Sequence, residues 1–207
     1  FPFCDWNFSS STAEDYAWLV AAIHAMERDI YVADFTHLGV YACRIIVPGI
    51  PGDLVDSRAK WRAMADFFAA LADTLAPHDL VTGYHNHTVE FTPLDGEPPW
   101  DTFFGNTDPR VVMQLDTGNA MHGGADPAAI LRQYPGRAGT VHLKPYTPGA
   151  ADPFNAPIGE DASDWAAIFA ACDAAATDWY IVEYESDAYP PLDAVARCLR
   201  GLKAMGR

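Results

Sequence analysis

The sequence predicts an α/β protein built on a parallel sheet, and three observations carry that prediction. From about Asp53 onward, short runs rich in β-branched and aromatic residues alternate with stretches of helical periodicity. Strands separated by helical crossovers pair in parallel. Those strands end in polar, ligand-type side chains, as strands do whose C-terminal ends face a site. Half of the 207 residues are hydrophobic, with six Trp, nine Tyr and eleven Phe, which is ample material for a large core.

Taken in order, Thr12 to Met26 reads as a helix. Ser11 or Thr12 can cap it, and Tyr16, Leu19, Val20 and Ile23 make an apolar stripe. Ile30 to Phe35 and Val40 to Val47 read as strands, and Pro48-Gly49 and Pro51-Gly52 then interrupt any regular element. A long helix spans about Ser57 to Leu75, with Asp56 or Ser57 as cap and Trp61, Met64, Phe68, Leu71 and Leu75 at helical spacing. Next come a strand at Leu80 to His85, a short helix at Trp100 to Phe104 and a strand at Val111 to Asp116. A helix at Pro127 to Gln133 and a strand at Thr140 to Lys144 follow. Ser163 is the expected cap of a helix running to Ala175; Trp179 to Glu183 is a strand and Pro191 to Met205 the closing helix.

Bulk properties exclude several classes. Thirteen Lys and Arg against 28 Asp and Glu give a formal charge of −15, whereas nucleic acid and anionic lipid both require a basic footprint. Neither is expected as a partner. The four cysteines form no CxxC pair, which argues against a thiolate zinc site or a disulfide framework and fits a reducing cytoplasm. No apolar run approaches the ~18 residues of a membrane span, and the first residues lack a signal-peptide pattern. The chain opens on Phe1 and not on Met, which suggests a trimmed start.

The strand ends carry the chemistry. Glu90, Asp116, His142 and Glu183 follow four successive strands, and 26 residues separate both Glu90 from Asp116 and Asp116 from His142. One β/α unit takes about that length, since a βαβ motif needs roughly 30 residues. The longer step to Glu183 contains a Pro-, Gly- and Asp-rich loop, Tyr146 to Ala162. Taken singly, an Asp-x-Gly is usually a turn and a strand His a satisfied core group. Four such residues at four strand ends would repel one another in a partly buried mouth without a cation. Three carboxylates and one imidazole suit a fairly hard divalent ion, Mn²⁺, Mg²⁺ or Co²⁺, with Zn²⁺ as the further option.

Five segments then carry a resemblance: Tyr84-His85-Asn86-His87-x-x-Glu90-Phe91, Gln114-x-Asp116-x-Gly118-Asn119, Val141-His142-x-Lys144, Pro157-x-Gly159-Glu160 and Val182-Glu183-x-Glu185. Together they resemble the sugar phosphate isomerase/epimerase family of xylose-isomerase-like TIM barrels, from about Pro48 to Arg207. The resemblance implies a (β/α) TIM-barrel-like fold, here partial or open. It also implies a cation held by Glu90, Asp116, His142 and Glu183, with Glu90 and Glu183 as catalytic acid/base groups. The implied substrate is a small sugar or sugar phosphate, which reacts by proton transfer through an ene-diolate. His85, His87, Asn119 and Lys144 are the expected substrate contacts. Asn119 stands where many relatives have His, and Pro145 where many have Asp, and both positions bear on the substrate.

Residues 1–50 carry a second resemblance. Phe3-Cys4-Asp5-Trp6-Asn7-Phe8 and the run from Tyr31 to Gly49 resemble a segment of the YcaO family, over about a quarter of the chain. The expected organisation is thus a YcaO-like β-α-β-β segment at 1–50 and a barrel part at 51–207, with Cys43 to Val47 standing in for a barrel strand. About fifty residues are too few for three β/α units, so a homo-oligomer is expected to complete the wall. The alternatives are an inactive fusion scaffold that keeps the metal site, and a YcaO-type interaction module.

Overall fold

The computed structural model describes residues 31–34, 43–46, 55–78 and 80–207, so the helix expected at Thr12 to Met26 lies outside the described residues. The chain divides into two compact units, Phe1–Asp53 and Leu54–Arg207. In the first unit, β1 (Tyr31–Asp34) pairs antiparallel with β2 (Cys43–Ile46), Tyr31 opposite Ile46 and Asp34 opposite Cys43. Among the described residues β2, which covers most of the Cys43 to Val47 expected as a barrel strand, hydrogen-bonds to β1. The short connection between β1 and β2 suits a hairpin, since a parallel crossover takes a dozen residues or more.

The second unit opens with α1 (Arg58–Leu75). Ser57 caps it, its hydroxyl accepting from the Lys60 N–H, and Lys60 reaches back to Asp56 one turn earlier at 2.9 Å. Trp61, Ala65 and Ala72 are buried, and Met64 and Phe68 pack beside them, which is the helical stripe the sequence displays. The remaining elements are β3 (Gly83–His85), α2 (Pro99–Phe104), β4 (Val112–Asp116), α3 (Thr117–His122), α4 (Pro127–Gln133), β5 (Thr140–Leu143), α5 (Trp165–Ala174), β6 (Trp179–Val182) and α6 (Pro191–Ala204).

The sheet runs β3-β4-β5-β6, every pair parallel, so the described strands form an open α/β sheet in chain order. Its register divides the side chains by face. Tyr84 lies beside Met113, Leu115 beside Val141, and Val141 beside Tyr180, which puts the apolar residues on one face. Met113, Leu115, Val141 and Leu143 are fully buried there. An aromatic cluster of Trp61, Phe68, Tyr84 and Phe103 joins α1, β3 and α2, with Tyr84 and Phe103 ring centroids 5.0 Å apart. Asp116, His142 and their neighbours in register occupy the opposite face.

Two local expectations change. The helix before β6 is capped by Asp164, whose carboxylate accepts from the Ala167 N–H, and not by Ser163. Ser163 is engaged by Asp161, which also accepts from the N–H groups of Tyr146 and Gly159 and from the Trp165 indole. One carboxylate therefore ties down the long loop between β5 and α5. The second change is α3, a helix where the sequence suggested a strand end and a turn. Asp116 caps it through the Asn119 N–H.

Gly201 on α6 packs directly on this loop. A Cβ there would lie 1.9 Å from the Ile158 carbonyl oxygen, and the adjacent Gly159 takes φ +88°. Gly201→Ala gains helix propensity of up to ~1 kcal/mol but forces the helix off the loop, an overpacking cost of typically 1–3 kcal/mol. The expected outcome is a net loss of stability, measured as a lower denaturant midpoint at unchanged slope.

Candidate metal centre

The sheet register builds the site. Asp116 lies beside His142, and His142 beside Ile181, so Glu183, two residues on, projects from the same face. His85 lies beside Gln114, two residues before Asp116, and so shares that face too. His85, Asp116, His142 and Glu183 each bring one ligand-type atom to a group in which all four atoms lie within 4.8 Å of one another. They come from the C-terminal ends of four adjacent parallel strands, where α/β proteins place their sites.

Asp116 is the most constrained of the four. Its backbone N–H donates to Asn86 Oδ1 at 2.8 Å and its carbonyl accepts from Asn86 Nδ2 at 3.1 Å, which locks the end of β4 to the end of β3. Its Oδ1 accepts from the Asn119 N–H at 2.7 Å. Its Oδ2 is buried without a partner, as are His85 Nδ1 and His142 Nε2. A buried polar atom left unpaired costs about 1–3 kcal/mol, and three of them on the residues of one group is the arrangement a cation would satisfy. The donor set of two imidazoles and two carboxylates fits a first-row divalent metal.

Glu183 joins the group through His142, with its Oε2 2.5 Å from His142 Nδ1, while its Oε1 accepts from Lys144 Nζ at 3.2 Å. Of the expected ligands, Asp116, His142 and Glu183 therefore converge, and His85 stands with them. Glu90 lies elsewhere. It is 2% exposed on a turn of 3₁₀ helix at Val89–Phe91, where its oxygens accept from the Tyr84 hydroxyl at 2.7 Å and the His87 N–H at 2.9 Å. His87 is exposed and packs edge-on against His85, with ring centroids 5.6 Å apart. Asn119 and Lys144 are buried beside the group. Asn86 and Thr117, which hold the site's backbone, carried no signal in the sequence beyond their places in the motifs.

The electrostatics follow from burial. Burial pushes the Asp116 carboxyl up to about 8; the Asn119 N–H opposes this, and the nearby Glu183 and Glu185 reinforce it. His85 is lowered to about 4, first by burial and then by the neighbouring His142. Burial would raise Glu183 as well, but the hydrogen bond from His142 and the Lys144 charge hold it below the usual carboxylate range. Burial together with Glu90 raises the Tyr84 phenol.

An open parallel α/β sheet with an imidazole and carboxylate group at its strand ends is the arrangement of proteins built on the (β/α) barrel plan. The sequence profile of the xylose isomerase-like TIM barrels matches residues 2–205, and the chain belongs to that family. Among solved structures, the chain is similar to a sugar phosphate isomerase/epimerase from Parabacteroides distasonis, with TM-score 0.60 and 21% identity over 76% of this chain and 56% of that one. It is also similar to an L-ribulose 3-epimerase, with TM-score 0.51 and 18% identity over 72% of this chain and 54% of that one. At these identities the likeness shows the fold. Among curated proteins, 75 residues are 44% identical to the ribosomal protein S12 methylthiotransferase accessory factor YcaO of Escherichia coli, covering 36% of this chain and 13% of that protein. A further 92 residues are 34% identical to inosose dehydratase of Geobacillus kaustophilus, covering 44% of this chain and 29% of that protein. The chain thus spans little more than half the length of these solved relatives and less than a third of these curated ones. Among the described residues no helix is long and apolar enough to cross a membrane.

The two shifted groups predict a pH signature. Asp116 binds its proton more tightly in the folded state, so its contribution to stability is lost as pH rises from about 4 towards about 8. His85 binds its proton less tightly when folded, so its contribution is lost as pH falls from about 6.5 to about 4. The two oppose each other below pH 6.5, and Asp116 acts without that opposition between 6.5 and 8. In chelator, the melting temperature should fall across pH 6.5–8; saturating Mn²⁺ or Co²⁺ should flatten that fall, because the cation takes the place of the proton. Thermal melts at stepped pH check this.

Proposed function

We propose that this chain is a divalent-metal-dependent isomerase or epimerase acting on a small sugar or sugar phosphate. The observation that carries the reading is the convergence of His85, Asp116, His142 and Glu183, three of them with unpartnered buried atoms. Family membership and the names of the structural neighbours support the substrate class.

His85, Asp116, His142 and Glu183 would hold the cation. When bound, it would supply Lewis acidity, polarising an α-hydroxy-carbonyl and stabilising the charge that develops when the adjacent proton leaves. Glu183 is kept ionised by His142 and Lys144, so its Oε2 is poised to accept that proton and return it. His142 Nδ1, 2.5 Å away, donates to Glu183 and orients that carboxylate. Glu90 works through position, fixing the turn between His85 and His87 so that His85 meets the group. The exposed His87 is placed to meet a substrate hydroxyl at the mouth. A homo-oligomer belongs to the same proposal, because β3 and β6 each leave one edge unpaired among the described strands. Light scattering giving a multiple of the chain mass would support it, and a clean monomer would remove it.

Asp116→Ala should abolish stoichiometric Mn²⁺ or Co²⁺ binding, read by metal analysis after gel filtration; unchanged metal content would sink the site assignment. With Mn²⁺, the protein should wash solvent deuterium into one or more of a panel of ketoses and ketose phosphates. Glu183→Gln should slow that exchange by about 10²-fold or more, the scale of a lost acid/base group. Exchange that survives Glu183→Gln would move the proton transfer to another residue.

A further inference from the structure

We infer that Lys144 is a positioning residue for Glu183 and not a substrate contact, and that Thr117, Gly118 and Asn119 form the cradle that holds it. The inference deepens the metal-site reading above and rests on it.

An ammonium group has three protons to donate. Lys144 Nζ has three acceptors around it: Glu183 Oε1 at 3.2 Å, Asn119 Oδ1 at 3.3 Å and Glu185 Oε2 at 2.5 Å. The residue is 1% exposed, and the Phe154 ring covers the charge from 4.7 Å. With three acceptors around it, the ammonium has all its donors engaged, and its side chain is almost wholly buried. A charge is buried this completely only when it is paired, and here two carboxylates pair with it.

The rest of the residue is held as firmly. Lys144 N–H donates to Thr117 Oγ1 at 3.0 Å, and its carbonyl lies 3.0 Å from the same oxygen and accepts the hydroxyl proton. The stem passes over Gly118, where an added Cβ would lie 2.7 Å from Lys144 Cγ and 2.9 Å from its Cβ. Glycine at 118 is therefore the space the lysine stem occupies. Asn119 receives the head group. Three consecutive residues that follow a ligand-type residue on β4 thus fix a lysine at the end of β5, and the lysine fixes a carboxylate at the end of β6.

The consequence concerns which oxygen Glu183 presents. With Oε1 held by Lys144, only Oε2 is available to the group, so Glu183 acts through one oxygen. Removing the ammonium frees Oε1 to turn towards a bound ion and raises its coordination number. A role in substrate contact would leave the substrate-free metal site unaltered.

The test uses the full chain loaded with Co²⁺ alone, whose visible d–d absorption weakens as coordination number rises. Lys144→Met should lower the molar absorbance per bound Co²⁺ by about half or more, since coordination geometry sets the spectrum. Glu185→Gln, at a side chain on the exposed side of the pair, should lower it in the same direction by less. Lys203→Met, at an exposed lysine on α6, should leave it unchanged. If the wild-type chain takes up no Co²⁺, the metal-site reading falls and this inference falls with it. If the wild type binds Co²⁺ and both variants give its spectrum, the positioning role alone is overturned. Should Lys144→Met fail to fold, Glu185→Gln decides: an unchanged spectrum overturns the inference and a weakened one upholds it.

Discussion

The burial of the Asp116 carboxylate is the constraint on which the rest of the site depends. Its backbone is read on both sides by Asn86, its Oδ1 starts α3, and its Oδ2 is left unpaired among other ligand-type atoms. A carboxylate in that position resists ionising, and burial raises it to about 8. A fold that needed only stability would place an apolar residue there or give both oxygens a partner. The strain makes sense when a cation is the missing partner, because one ion can satisfy Asp116, His85 and His142 together.

The same need for charge balance explains the lysine. Glu183 and Glu185 follow β6 within three residues, beside an already buried Asp116. Their mutual repulsion is offset by one ammonium sealed from water, which holds Glu183 ionised against the pull of burial. Balance inside the site is thus divided. The Lys144 ammonium neutralises the β6 end, and Glu183 still reaches the group formed with His85, Asp116 and His142.

Much of this was legible in the chain, because a parallel sheet with crossovers makes strand ends recognisable by the switch from β-branched to polar residues. Asp116, His142 and Glu183 could be read in that way. The choice between Glu90 and His85 could not, because equal spacing along the chain is not equal height on a strand. Glu90 matched the 26-residue rhythm, but β3 ends at His85, and the intervening turn carries Glu90 out of the group. Lys144 reads from the sequence as a substrate contact, since sequence shows a charge near a site but not that its ammonium meets three acceptors. α3 was hidden because Thr-Gly-Asn after an acid has the composition of a turn, and only the cap from Asp116 and the fit of Gly118 under Lys144 show why these residues are helical here.

The site is also joined to the core by a route that passes through Glu90. Its carboxylate accepts from the Tyr84 hydroxyl, and the Tyr84 ring sits in the aromatic cluster with Trp61, Phe68 and Phe103. The other oxygen of Glu90 holds the His87 N–H in the turn that follows His85. A buried acid with both oxygens engaged by neutral donors is a fixed point and not a mobile one. The geometry of His85 therefore inherits its rigidity from the packing of α1 and α2 on the far face of the sheet. The polar mouth and the apolar core are mechanically one structure at β3, where alternate residues, Tyr84 and His85, face opposite sides. That alternation lets a three-residue strand serve both.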